Sequence, residues 1–105
     1  MKTITDNFKF AGFNGKIVQA EYTQSGNIAW QMIDDDGPIA TVSVNVPGLK
    51  PDELGIKTYS ENAGMLEALL AADLIELPHR YLLSGFVSIP VCYAKNHYRV
   101  GTEKA

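Results

Sequence analysis

One segment constrains this chain more than any other. Tyr59-Ser60-Glu61-Asn62-Ala63-Gly64-Met65-Leu66-Glu67-Ala68-Leu69-Leu70 is the single strong helix signal in a sequence that otherwise alternates like strands. Ser60, Glu61 or Asn62 starts the helix. Ser and Asn side chains accept an unpaired backbone N–H at a helix start, and Glu61 lies where the helix dipole favours an anion. Met65, Leu66, Leu69, Leu70 and Leu74 recur at helical spacing, with Glu67 and Asp73 on the opposite side. The spacing predicts roughly three turns, about 18 Å at 1.5 Å per residue. A helix that short is marginal alone in water, so its apolar stripe must pack on a sheet. Pro78 stops any continuation. Gly64 in the first turn costs roughly 1 kcal/mol relative to Ala, which predicts backbone or an aromatic ring lying against it.

The rest of the chain reads as antiparallel strands. Residues 8–10 form a short strand, and Asn14-Gly15 is a hairpin-turn signal. Over residues 16–23, Val18, Ala20 and Tyr22 point one way and Gln19, Glu21 and Thr23 the other. Period two is what a half-buried strand requires. After a turn at residues 24–27, Ile28, Trp30 and Met32 share a face, which places Trp30 in the core. Asp34-Asp35-Asp36-Gly37-Pro38 breaks the pattern, and Asp-Gly there supports a tight turn. Ala40, Val42, Val44 and Val46 alternate with Thr41, Ser43 and Asn45 as a further strand, completing a meander over residues 16–46. Pro47-Gly48-Leu49-Lys50-Pro51 ends it. Residues 54–58 are a short extended piece leading to the helix, and residues 81–85 an irregular approach to the last strand. In that strand Val87, Ile89, Val91 and Tyr93 oppose Phe86, Ser88, Pro90 and Cys92. Pro90 cannot donate to a ladder and so marks an edge strand or a bulge. The expected class is α+β: an antiparallel β-sheet of about four or five strands in a meander, with one α-helix packed on one face. It forms a single domain over residues 1–105, with its core at about 8–95 and residues 96–105 a flexible polar tail.

Composition bounds the function. A chain of 105 residues makes one domain and hides roughly 60–65% of its unfolded surface. Hydrophobic residues are 46% and charged residues 20%, ordinary for a globular chain and unlike a disordered one. The net charge is −3 and the nine Lys and Arg are scattered, densest at Lys95, His97 and Arg99. A nucleic-acid binder needs a basic patch, so nucleic acid is an improbable partner. Twelve acidic residues are too few to mimic nucleic-acid charge over a whole face. Cys92 is the lone cysteine, so no intrachain disulfide forms and a reducing compartment is expected. No run approaches the roughly 20 apolar residues of a membrane span, and the first residues lack an apolar signal-peptide core. The expectation is a soluble cytoplasmic protein that does not engage membranes.

No catalytic, metal or cofactor motif stands out. Tyr59, Ser60, Glu61 and Asn62 are a candidate recognition patch at a helix N-terminus; a helix cap with a packed tyrosine accounts for the same residues. Asp34, Asp35 and Asp36 suggest a cation site, but calcium loops space their oxygens at alternate positions. Consecutive carboxylates in a tight turn diverge into solvent. Cys92 with His79 or His97 is the available nucleophile and base. A lone strand cysteine without a cysteine-enzyme signature behaves as a small buried hydrophobe, and these residues lack zinc spacing. Tyr22, Trp30, Tyr81, Phe86, Tyr93 and Tyr98 are mostly core. Any of them left exposed becomes a candidate anchor at a protein interface.

The helix segment Tyr59-Ser60-Glu61-Asn62 with Gly64-Met65-Leu66-Glu67-Ala68-Leu69 also carries a resemblance. So do Phe13-Asn14-Gly15-Lys16, Gly85-Phe86-Val87 and Pro90-Val91-Cys92. Through them the chain resembles a family of small bacterial proteins, domain of unknown function 4313, whose members travel on phages, plasmids and integrated elements. The resemblance runs in order over roughly residues 10–93. Members stop shortly after the Pro-Val-Cys segment, so residues 94–105 fall outside it. It implies no activity and no ligand. It does imply a mobile-element setting, in which small folded proteins bind host components, including defence systems. The expected function is therefore a non-enzymatic protein-binding accessory of a mobile genetic element that inhibits a host defence complex. A self-associating structural protein, pairing through an exposed strand edge, is the first alternative. A small-ligand-binding module or small enzyme, which needs a pocket with converging polar groups, is the second.

Overall fold

The computed structural model of the chain describes residues 2–95. Strand β1 (Lys2–Phe10) and strand β2 (Phe13–Glu21) are joined by the two-residue turn Ala11-Gly12. Both turn residues have positive φ, 54° and 85°, the backbone hand that fits the twist of the flanking strands. Asn14-Gly15, expected to make this turn, lies inside β2 instead. Gly15 has a different task there. A Cβ at that position would collide with the carbonyl oxygen of Ile33 and stand 3.0 Å from Ile39 Cδ1, so glycine allows two backbones to approach closely.

Strands β3 (Ile28–Asp34) and β4 (Gly37–Thr41) complete an antiparallel meander in the order β1-β2-β3-β4. Register pairs Ile17 with Met32, Gln19 with Trp30 and Glu21 with Ile28. Ile17 and Gln19 therefore face the core with Trp30, and Ala20 is exposed. The alternation expected for residues 16–23 thus fails at Gln19 and Ala20, while Val18 is buried and Glu21 and Thr23 are exposed as it requires. The physical reason is a buried glutamine, whose side-chain oxygen serves the indole N–H of Trp30. Trp30 itself is buried, as its alternation with Ile28 and Met32 predicts.

At Val42 the chain changes sheets. The Val42 N–H donates to the Trp30 carbonyl at 3.0 Å, and the Val42 carbonyl accepts from the Lys57 N–H at 2.9 Å. The single strand expected over residues 40–46 is thus divided between β4 and β5 (Ser43–Val44). With β6 (Glu53–Ile56), β7 (Arg80–Ser84) and β8 (Val87–Tyr93), β5 forms a second antiparallel sheet in the order β5-β6-β8-β7. The class is α+β. Its strands fall into two sheets of four, where the sequence suggested one sheet of four or five. The segment 81–85, read as irregular, supplies most of β7. Strand β8 lies between β6 and β7 and not at an edge. Its Pro90 sits one residue beyond Val91, where pairing with β6 stops.

The helical segment is also divided. A 3-10 turn (Ser60–Asn62) precedes α1 (Met65–Ala71), and Gly64 between them has φ 91°. That left-handed residue interrupts what would otherwise be one three-turn helix. The Phe10 ring lies 4.0 Å from where a Cβ on Gly64 would stand, so the aromatic neighbour is present without crowding it. Met65, Leu69 and Leu74 are buried against Phe8, Ile17, Trp30, Met32, Leu54, Ile56 and Cys92. Each such side chain contributes about 1.5–3 kcal/mol of burial. Ile4 joins this core, which therefore starts earlier in the chain than residue 8. No helix among the described residues is long and apolar enough to cross a membrane.

Candidate functional site

The segment Tyr59–Asn62 does not form one outward surface. Tyr59 is extended, with φ −106° and ψ 169°, and Ser60 has φ 56°. Neither Ser60 nor Asn62 caps α1, whose N-cap is Gly64. Asn62 is fully buried, and its Nδ2 donates to the Thr41 carbonyl at 2.6 Å. Its Oδ1 has no hydrogen-bond partner among the described residues. Glu61 points outward, pairs with Lys57 at 3.0 Å and borders a small apolar concavity with Phe10, Phe13 and Ile39. Lys57 also lies 5.6 Å from the centre of the Tyr59 ring. Asn62 thus ties this segment to the first sheet, while Glu61 and Tyr59 remain at the surface with Lys57.

Asp34 and Asp35 line a shallow polar concavity with Asp6, Asn14 and Lys16. The Asp36 N–H donates to Asp34 Oδ1 at 2.8 Å, so that carboxylate caps its own turn. Among the described residues, no group of His, Cys, Asp and Glu has the arrangement of a metal site. Cys92 is buried, and burial pushes its thiol up to about 12. His79 lies elsewhere, on Glu53. His97, Tyr98, Arg99 and the rest of 96–105 lie outside the described residues.

The densest polar cluster was not legible in the sequence. Glu53, at 1% exposure on β6, receives the Lys50 N–H (2.8 Å) and Arg80 Nη2 on Oε1. Arg80 Nε (3.0 Å) and His79 Nε2 (2.6 Å) reach Oε2. Arg80 Nη2 also donates to the Gly48 carbonyl at 2.7 Å, and the His79 ring stacks on Tyr93 with centroids 4.3 Å apart. The Arg80 hydrogen bond outweighs burial. With help from His79 and the Lys50 N–H it holds the Glu53 carboxyl down at about 2. A carboxylate committed to four donors at that acidity is a poor proton acceptor near neutral pH. Chemically, the cluster clamps the loop at residues 48–50 onto the start of β7.

That clamp adjoins the most exposed apolar surface among the described residues. Tyr81 and Leu83 on β7 are 60% and 81% exposed, and Phe86 at the tip of the β7–β8 turn is fully exposed. Tyr81 pairs with Pro90 in register. Leu83 lies two residues along the same strand, so both share a face with Pro90 and Cys92. Cys92 belongs to the main core. The core-facing side of the second sheet therefore runs on past the part that the first sheet and α1 cover.

The four sheet edges differ in protection. Strand β1 carries Lys2 and Lys9 and two register shifts. Strand β4 carries Pro38 and pairs with β3 through a register shift. Strand β5 is two residues long. These are the devices by which sheets avoid unwanted pairing. Strand β7, Arg80-Tyr81-Leu82-Leu83-Ser84, has no proline, no lysine and no register shift. The sequence signal for it was the Gly85-Phe86 pair between two apolar runs, a two-residue hairpin connection. Comparison of the chain with protein-family models, with curated proteins and with solved structures gives no match.

Proposed function

We propose that the protein works by binding another polypeptide and not by catalysis, with β7 as its docking edge. One observation carries the reading: of the four sheet edges among the described residues, the one longer than two residues and without proline, lysine or a register shift is also the one flanked by exposed Tyr81, Leu83 and Phe86. An unblunted apolar edge is a template for strand addition, and tyrosines are enriched among interface anchors. The setting proposed for this activity is that of an accessory protein of a mobile genetic element, with inhibition of a host defence complex as its specific form. The resemblance in the helix segment supports that setting.

The small-ligand alternative draws less support. The concavity beside Phe10, Phe13 and Ile39 measures about 120 Å³, against roughly 300 Å³ or more for a ligand pocket, and the larger ones, about 210 Å³ beside Asp34 and Asp35 and about 410 Å³ beside Lys2 and Glu21, are shallow depressions open to solvent. The test is a photoreactive phenylalanine analogue placed at Leu83 in cells making the full chain, with Asp35 on the opposite sheet as the control position. A polypeptide adduct at position 83 and none at 35 supports protein docking at β7. No adduct at either position overturns it.

A further inference from the structure

The ladder between β7 and β8 fixes which backbone groups of β7 are free. Pro90 has no N–H, so Tyr81–Pro90 cannot be a hydrogen-bonded pair. Hydrogen-bonded and non-hydrogen-bonded pairs alternate along an antiparallel ladder. Arg80, Leu82 and Ser84 therefore bond to β8, and the N–H and C=O groups of Tyr81 and Leu83 point to the outer edge. No described strand pairs with that edge.

These two residues suit each other across a two-fold axis. If a second copy approaches antiparallel with Leu82 facing Leu82, Tyr81 of each copy stands opposite Leu83 of the other. Both pairs are of the hydrogen-bonded kind, because both residues direct their backbone groups outward. Their side chains, left exposed by the monomer, form an aromatic–aliphatic cross-strand pair twice over. Arg80 falls opposite Ser84, so no like charges meet directly. Residue i meets j and j meets i, which is the requirement of an isologous interface.

We infer that the polypeptide docked at β7 is a second copy of this chain, paired antiparallel about Leu82 so that two four-stranded sheets become one continuous eight-stranded sheet. This rests on the reading of β7 as a protein-docking edge, and it assigns that edge to self-association, so a host component would meet a surface of the dimer other than β7. A five-residue strand pair is smaller than a standard interface, so dissociation is expected at roughly 1–100 µM.

The test is sedimentation equilibrium of the full chain from low micromolar to millimolar concentration. A reversible shift from 11.5 kDa to twice that mass is expected. Leu83→Pro removes an outward N–H that β8 does not use, and should weaken association about tenfold or more. The double variant Tyr81→Lys/Leu83→Lys leaves the backbone intact and sets ammonium groups opposite one another, so it should remain monomeric even if the proline variant misfolds. Leu82→Cys should form an interchain disulfide on mild oxidation. Its two copies face each other as a non-hydrogen-bonded pair, with Cα atoms about 4.5 Å apart, within disulfide reach. A monomer at millimolar concentration overturns the inference, as does a dimer that persists in the double lysine variant or lacks the Leu82→Cys disulfide. A monomer that still gives a heterologous adduct at position 83 overturns this inference alone and leaves protein docking standing. Absence of any adduct removes both.

Discussion

The indole Nε1 of Trp30 donates a hydrogen bond to Oε1 of Gln19 at 2.8 Å, and both residues are buried. They are register partners on adjacent strands. Gln19→Leu keeps most of the side-chain volume and leaves the indole N–H unpaired, so about 1–3 kcal/mol of stability should be lost. Adding Trp30→Phe removes the orphaned donor. The double variant should then be less destabilised than the sum of the two single changes. Urea unfolding of the four proteins measures the coupling, and strict additivity would show that the bond contributes nothing specific.

Features set by near neighbours in the chain were readable. Trp30, Ile28 and Met32 share one face by simple alternation, and the Asp-Gly signal at Asp36-Gly37 falls at the β3–β4 turn. Of the stripe Met65, Leu66, Leu69, Leu70 and Leu74, Met65 and Leu69 are buried on α1, Leu66 and Leu70 are half-buried, and Leu74 is buried beyond the end of the helix. Features set by distant partners were not readable. A polar Gln19 looks outward until Trp30 is placed opposite it. Alternation continues unbroken through Val42, so periodicity does not reveal that the chain changes sheets there. Glu53 meets His79 and Arg80 from 26 and 27 residues away, and no local pattern announces such a clamp. The apolar run at residues 81–83 has no clean alternation, because β7 lies partly beyond the core it continues.

Gly15 and Gly26 separate two reasons for glycine. At Gly15 a Cβ would meet the Ile33 backbone, which cannot move aside cheaply, so Gly15→Ala should cost about 2 kcal/mol or more. Gly26 has φ 74° and open space around it. There the penalty is conformational, and Gly26→Ala should cost only about 1 kcal/mol. Thermal or urea unfolding ranks the two. The reverse order would mean that the β2–β3 contact is looser than its geometry.

Cys92 should behave as part of the core and not as a reactive thiol. Burial pushes its ionisation up to about 12, so little thiolate exists at neutral pH. In the folded protein a disulfide reagent should label it only as fast as the structure opens, and in urea at the free-thiol rate. Cys92→Ala should be tolerated better than Cys92→Ser, because the hydroxyl would be buried without an assigned partner. Fast labelling without denaturant would contradict this placement.

The clamp on Glu53 predicts how acid weakens the fold. Its carboxyl titrates at about 2 in the folded chain against an ordinary 4.5, first because of the Arg80 hydrogen bond and then with His79 and the Lys50 N–H, against the opposing effect of burial. A carboxyl with a depressed folded value binds its proton more weakly in the native state than in the unfolded one. Its contribution is therefore complete above the unfolded value of 4.5 and is lost as pH falls toward about 2. The part at stake is on the order of 2 kcal/mol, allowing for solvent around the half-exposed Arg80 and His79. Glu53→Gln keeps the shape but has no proton to gain. Unfolding free energies of the two proteins should differ most above about pH 5, narrow below the unfolded value of 4.5 and converge only at about pH 2 or below. A gap that stays constant over that range would mean that Glu53 contributes through packing and not through its charge.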